Sequence, residues 1–534
     1  MDKLEYLKSS DFSERIVQLD NIETNQIQEA LPECISLCSF DPQDNDPFQH
    51  MLRIVLKKLL SNNEEQTLIG LQNKNPVIQT ICIQVSGEMK FASTINELLR
   101  LCALESSNFN IIFEALSALS KFDNPKVLEI FSNLILNKDP LISSLAIDVI
   151  GKFKDTKSVP ALCNIVYSAE DDEHFLQCEL NTYRAILALG QIQNQDTISF
   201  LASKIHHRNP TARRIIYEEL LKSGEAAVPF LEPIFEQDNT DKKILTANIL
   251  GDIGGKKAGS VLVNAIDNGK VDHPNIKFAI YESLGKITFL KGIICLMDGL
   301  EETNELILIA VIDALNAQMS PSIIKKIKEM INIGNAQSQK IIKTIVKAKA
   351  VKIFSELYND DNIGAQLISQ IIQSRDNDIV NSFIERIIGK NTPRSQNDFQ
   401  QLESIANSKL EKCILAVDDS KAMILFYRSV VSNMGLNIIT AVNGKEALSL
   451  LEYSEPVDLI LTDMNMPVMD GIEFCKKVRE NLLWQDIPMI MATTESEKSQ
   501  HEIAKKAGVN DFISKPFPSE LLQDKIKKFL SNQN

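Results

Sequence analysis

The sequence predicts an all-α array of helices followed by an α/β domain built on a five-stranded parallel sheet. Two observations carry this. From about Pro47 to Lys390, apolar residues recur at three- and four-residue spacing, the period of helices with one buried face. From Lys412 onward, short β-type runs alternate with helical patterns, which implies a parallel sheet covered on both faces. At 534 residues the chain is too long for one core. It fits either several domains or a repeat array joined to a domain.

Composition narrows the function classes. Apolar residues make up 44% of the chain, which argues against extended disorder. The formal net charge of −15 argues against a nucleic-acid or anionic-membrane surface over most of the chain. The N-terminal run MDKLEYLKSS is polar, with no apolar core of a signal peptide. The longest apolar stretches, such as Leu306 to Ile312, fall far short of a bilayer span, so no membrane insertion is expected. Nine cysteines are scattered without a CxxC pair. Cys34 and Cys38, four apart, suit one helix face better than a metal site. All nine are read as reduced thiols, mostly small core residues, of a cytoplasmic protein.

The first region repeats. One helix ends in similar fashion at ALSALSKF (115–122), AIDVIGKF (146–153), AILALGQI (185–192), ANILGDIG (247–254) and YESLGKIT (281–288). YEELLKSG (217–224) and VIDALNAQ (311–318) also fit. Alignment on the small residue places Ser120, Gly151, Gly190, Leu221, Gly251, Gly285 and Asn316 in register, with differences of 31, 39, 31, 30, 34 and 31. The long interval contains the polar insert SAEDDEH (168–174), expected as a loop. A second apolar helix follows several of these, as at SVPALCNIV (158–166) and AAVPFLEPIF (226–235). Prolines 160 and 229 sit where a first-turn proline is tolerated. A pair of about 30 residues cannot bury its apolar face alone, so stacking into a curved solenoid is expected.

This pattern resembles HEAT-like repeats, particularly the short form of phycobilisome-lyase-type repeat proteins. The likeness covers residues 80 to 320, and 320 to 390 loosely. A non-repetitive helical domain is the alternative; seven matches in near register favour the repeat. The expected organisation is a helical cap or lead-in over 1–46 and a HEAT-like array over 47–390. A linker over 391–411 contains the polar run NTPRSQNDFQQ, part of which could continue as a short connecting helix. The α/β domain then occupies 412–534.

The strands of that domain are read as CILAVDD (413–419), NIITA (437–441), VDLILTD (457–463), PMIMATT (488–494) and DFISK (511–515). Helical patterns begin near Ser420, Gly444, Gly471, Glu497 and Ser519. In such sheets the ligand site lies beyond the carboxyl ends of the strands. Those ends carry Asp418 and Asp419, Asp463, Thr493 and Thr494, and Lys515 followed by Pro516. Three clustered carboxylates repel one another unless a hard cation sits between them, and Mg²⁺ suits carboxylate, carbonyl, water and phosphate oxygens. Asp463 is then the candidate nucleophile, forming an aspartyl-phosphate. Lys515 would neutralise charge on the transferred group, and a strand-end hydroxyl would donate to a phosphoryl oxygen. Taken singly, an Asp pair at a strand end is often only a helix cap. The ordered set of strand-end groups is what singles out a site.

The runs VDDSKAM, LTDMNMPVMDG, MATTES and ISKPF resemble those of response-regulator receivers, most of all single-domain chemotaxis regulators, over all of 412–534. The resemblance implies a flavodoxin-like sheet of order 2-1-3-4-5 with Asp463 as phosphoacceptor. It implies direct Mg²⁺ ligation by Asp419, ligation by Asp418 largely through water, and a third protein ligand in the backbone carbonyl of Asn465. Thr493 is implied as the switch hydroxyl, Lys515 as the phosphate partner, and Lys515–Pro516 as a cis peptide.

Four positions tune that scheme. Asn465 and Glu495 match the chemotaxis pattern, whose members tend to lose phosphate quickly, so a short-lived signal is expected; ordinary solvated polar residues are the plainer alternative. Thr494 is bulkier than the family's usual residue and is expected to narrow access to the phosphate. Phe512 stands where the chemotaxis regulators have tyrosine. It can rotate inward with Thr493 but lacks a hydroxyl to anchor either state.

The six histidines show neither zinc spacing nor a phosphotransfer motif, and no P-loop or GxGxxG follows a strand. The basic stretch HHRNPTARR (206–214) is read as a repeat turn and solvated helix start in preference to a contact with an anionic partner. The resulting expectation is a two-component response regulator, phosphorylated by a histidine kinase or phosphotransfer protein, whose array binds an unidentified protein as output. No separate catalytic domain is expected. The alternatives are a non-switching scaffold or phosphate sink and, at low weight, a chromophore-lyase-like enzyme.

Overall fold

The structure, a computed structural model, describes residues 5–9, 11–103, 108–171, 180–269, 271–374, 377–390, 392–406, 412–453, 456–493, 498–515 and 517–531. The chain falls into two compact units, Met1–Ile165 and Val166–Asn534.

The first unit is helical. Helices Phe12–Asn25, Pro47–Ser61, Pro76–Met89 and Phe109–Leu119 pack each on the next, burying Leu52, Leu56, Leu59, Ile83 and Leu116. A recurrent device starts helices Pro47–Ser61, Pro76–Met89, Pro125–Leu134 and Pro140–Lys152. Asp46, Asn75, Asn124 and Asp139 each accept a backbone N–H through the side chain, and each is followed by proline at the first helical position. The cap satisfies an orphan donor, and the proline occupies a place where an N–H has no helical partner.

The second unit begins in the same style. Helices Pro210–Ser223, Thr240–Ile253, Pro274–Lys286, Glu305–Ala317 and Ala336–Lys347 pack successively. Their inner faces bury Ile216, Leu250, Leu284, Leu308 and Ile342. The aligned small residue has a physical cause here. A Cβ on Gly251 would lie 2.6 Å from the Cβ of Ser283, and one on Gly285 would lie 2.9 Å from the Cα of Ala314. Neighbouring helices approach so closely there that a larger side chain does not fit.

The polar stretch expected as a linker is helical over Pro393–Ala406. Thr392 and Ser395 cap its start reciprocally, each side chain accepting the other's backbone N–H. Asp398 within it accepts the Tyr358 hydroxyl at 2.6 Å. The Thr-Pro start is the same helix-opening signal found earlier in the chain.

The C-terminal part is the expected α/β fold. Strands β1 (Cys413–Val417), β2 (Asn437–Ala441), β3 (Leu459–Asp463), β4 (Met489–Thr493) and β5 (Asp511–Ser514) form one parallel sheet of order β2-β1-β3-β4-β5. Helices α1 (Lys421–Asn433), α2 (Gly444–Tyr453), α3 (Gly471–Glu480), α4 (Lys498–Ala507) and α5 (Ser519–Ser531) connect and follow them. Side chains alternate between two cores. Leu415, Val417, Ile460 and Met491 pack with Phe474, Val478 and Ala504 on one face. Ile414, Ala416, Leu461 and Ile490 pack with Tyr427, Val430, Leu522 and Ile526 on the other.

Candidate functional site

The register brings the strand ends level. Val417 pairs with Thr462, Asp463 with Ala492, and Thr493 with Ser514. The next residues, Asp418 and Lys515, extend the ladder by one bond each: Asp418 N–H donates to Ala441 O at 3.1 Å and Lys515 N–H to Thr493 O at 2.7 Å. Side chains from β1, β3 and β5 therefore meet in one crevice.

Asp418, Asp419 and Asp463 offer carboxylate oxygens that all lie within 4.8 Å of one another. Lys515 Nζ donates to Asp418 Oδ2 at 2.7 Å and to Asp463 Oδ1 at 2.9 Å. Asp418 is fully buried, and its Oδ2 also accepts the Tyr427 hydroxyl at 3.4 Å. Burial pushes Asp418 up to about 6, against the pull of the Lys515 charge. Burial and the charges of Asp418 and Asp463 hold Asp419 well above the usual carboxylate range. Burial works against the Lys515 charge, but Asp418 and Asp463 outweigh it and hold the ammonium well above its ordinary value. One ammonium against three carboxylates leaves an excess of negative charge on hard oxygen donors. That donor set fits a divalent cation such as Mg²⁺.

The loop after β3 is shaped for close approach. Gly471 N–H donates to Met464 O at 2.9 Å, and a Cβ on Gly471 would lie 2.1 Å from Asp463 O. Asp470 caps α3 by accepting from Ile472 and Glu473. Val468 adopts φ +67°, a strained value for a β-branched residue. The Thr493 side chain is buried with its Oγ1 3.8 Å from Met464 Sδ. Phe512 is half-buried and packs against the core that holds Met464. Thr494, Glu495 and Pro516, and with Pro516 the cis peptide, lie outside the described residues.

The sequence reading missed what faces this site. The stretch 206–214 is not simply a solvated helix start: Arg213 is buried and donates to Asn465 Oδ1. Beside it, Thr211 Oγ1 lies 3.5 Å from Asp470 Oδ2 and Arg214 Nη1 donates to Val468 O at 3.4 Å. On the other side, Lys421 of α1 pairs with Asp313 at 2.9 Å. A cavity of about 160 Å³ opens between α1 and the helices carrying Phe278, Glu282 and Asp313. The loop that follows Asp463 and the first turn of α1 are thus both engaged by helices that precede the receiver. The spacing Asn209-Pro210 signals a helix start, but nothing local signals a partner for its arginines.

A parallel 2-1-3-4-5 sheet with three acids and a lysine at its carboxyl edge defines a receiver. Residues 414–527 match the response regulator receiver domain family, and the chain belongs to the response regulators through this domain. It is 41% identical over 118 residues to a chemotaxis protein CheY homolog of Campylobacter jejuni, covering 22% of this chain and 91% of that protein. It is 37% identical over 122 residues to chemotaxis protein CheY1 of Helicobacter pylori, covering 23% and 98%. Among solved structures, the chemotaxis response regulator CheY4 of Vibrio cholerae matches with a TM-score of 0.22 and 34% identity, covering 22% of this chain and 98% of that one. No helix among the described residues is long and apolar enough to cross a membrane.

Proposed function

We propose that this chain is a two-component response regulator that accepts a phosphoryl group on Asp463 and signals through its helical array. The observation that carries the reading is the Lys515 bridge between Asp418 and Asp463 inside the acidic cluster. Asp463 attacks phosphorus, and the donor histidine of a kinase or phosphotransfer protein leaves. Lys515 holds the transferred group's charge, and the Thr493 hydroxyl turns inward to donate to it. Asp418, Asp419, Asp463 and the Asn465 carbonyl would hold Mg²⁺, which neutralises charge on the phosphoryl oxygens when bound. The receiver itself carries transfer and hydrolysis, so no separate catalytic domain is needed, and the protein works in the cytoplasm.

The helices before the receiver act as HEAT-like repeats that bind a protein. Switching is favoured over a passive phosphate sink because array helices touch the loop that follows Asp463 and the start of α1. A phosphoryl group held better in one arrangement than in the other biases that docking, by linkage. The test is hydrogen–deuterium exchange of the full chain with Mg²⁺ and beryllofluoride. Altered exchange in 210–223 and 305–317, abolished by Asp463→Ala, supports the reading; changes confined to the receiver favour the phosphate sink.

A further inference from the structure

Helix Pro210–Ser223 lays three side chains along the loop that follows Asp463. Arg213 is the central one and is only 8% exposed. A guanidinium has donors and no acceptor, so the atom it meets on Asn465 must be the amide oxygen. Arg213 thereby fixes which way the amide faces. The Asn465 Oδ1 turns to the array, and the NH₂ is the end left for other partners.

We propose that Arg213 is a positioning residue of the phosphoacceptor site, supplied by the array, which holds the Asn465 side-chain amide oxygen away from the hydrolytic water and so prolongs the aspartyl-phosphate. The inference rests on Asp463 being phosphorylated as set out above. In hydrolysis a water oxygen bonds to phosphorus while the bond from phosphorus to the Asp463 oxygen breaks. The electron pair returns to the carboxylate, inorganic phosphate leaves, and the water's proton passes to solvent. An acceptor beside the water aligns it and takes its hydrogen bond as it attacks. An amide oxygen can do this and an NH₂ cannot. The Asn465 and Glu495 pattern implies rapid loss of phosphate, and Arg213 opposes the Asn465 part of it while the array is docked. Lifting the array frees Asn465 to turn, so phosphoryl lifetime reports docking.

The test loads full-length wild type, Arg213→Ala, Arg213→Met, Asn465→Ala and the Arg213→Ala/Asn465→Ala pair with phosphoramidate and Mg²⁺. The donor is then removed and the phosphorylated form followed by intact mass. Arg213→Ala shortens the half-life about five-fold or more, within the range that positioned polar groups contribute to proton-transfer steps. Arg213→Met, which keeps bulk without donors, does the same. The double variant decays like Asn465→Ala alone. Independently of phosphate, exchange of 464–470 is faster in both Arg213 variants. An unchanged or longer lifetime in both Arg213 variants overturns the proposal. So does an Arg213→Ala effect of equal size in the Asn465→Ala background. A wild type that takes no phosphate overturns the functional reading, and this proposal with it.

Discussion

Replacing Lys515 by methionine keeps most of its volume and removes the ammonium that bridges Asp418 and Asp463. Asp418 is fully buried and the Lys515 side chain is 12% exposed, so little water is available to take over. Removing one partner of a buried pair costs about 3–5 kcal/mol, because it strands the other charge. The lower end, about 3 kcal/mol, applies here because Asp418 can escape by taking up a proton. Burial already raises it to about 6 against the pull of the Lys515 charge. The loss is therefore larger at pH 8 than at pH 5. Trp484, the one tryptophan of the chain, packs against the receiver core and reports its unfolding. In metal-free urea titrations at pH 8 its midpoint falls by roughly 2 M, taking a slope of about 1.5 kcal/mol per M. Mg²⁺ then stabilises Lys515→Met more than wild type, since the cation meets the same carboxylates without a competing ammonium. A variant as stable as wild type without metal, or one indifferent to Mg²⁺, would refute this account of the charge balance.

Three further outcomes follow from the array. Burial raises Glu282 to about 7, with Lys421 and Lys286 opposing. Between about 4.5 and 7 the native state binds the proton that the unfolded chain has lost, so stability falls as pH rises through that window. Glu282→Gln should gain about 1–3 kcal/mol at pH 8 and nothing at pH 4, by denaturant titration at both. Gly285→Val places a branched side chain where even a Cβ meets Ala314 at under 3 Å, and should cost about 1–3 kcal/mol by the same titration. The Asp313–Lys421 pair is 34% and 54% exposed, so losing it costs under about 1 kcal/mol. Asp313→Lys adds repulsion and should speed exchange in both 305–317 and 421–433; unchanged exchange there would mean that this pair does not hold the contact.

The receiver was legible because buried parallel strands read as unbroken apolar runs. NIITA is read as 437–441 and forms Asn437–Ala441; the other four runs exceed their strand by one or two residues, among them Asp418, Asp419 and Lys515 at the strand ends. Those polar ends line the acidic crevice, which is why pattern and candidate chemistry could be read together. Helix starts were equally plain at Gly444, Gly471 and Ser519. The small residues aligned at the helix ends have a physical reason in the Gly251–Ser283 and Gly285–Ala314 approaches. The docking was not legible. Arg213 and Asp313 are charged residues on helices, and periodicity cannot separate a face turned to water from one turned to a partner. The Pro393–Ala406 helix was hidden by its polar composition, although Thr392-Pro393 carried the start signal.

The most direct measurement is to map phosphate on the full chain after incubation with phosphoramidate and Mg²⁺, by intact mass and by peptide sequencing after borohydride trapping of the acyl-phosphate. The account predicts one phosphoryl group per chain, on Asp463, dependent on Mg²⁺ and absent from Asp463→Ala. Phosphate on another residue, equal labelling of Asp463→Ala, or no labelling of wild type would contradict it.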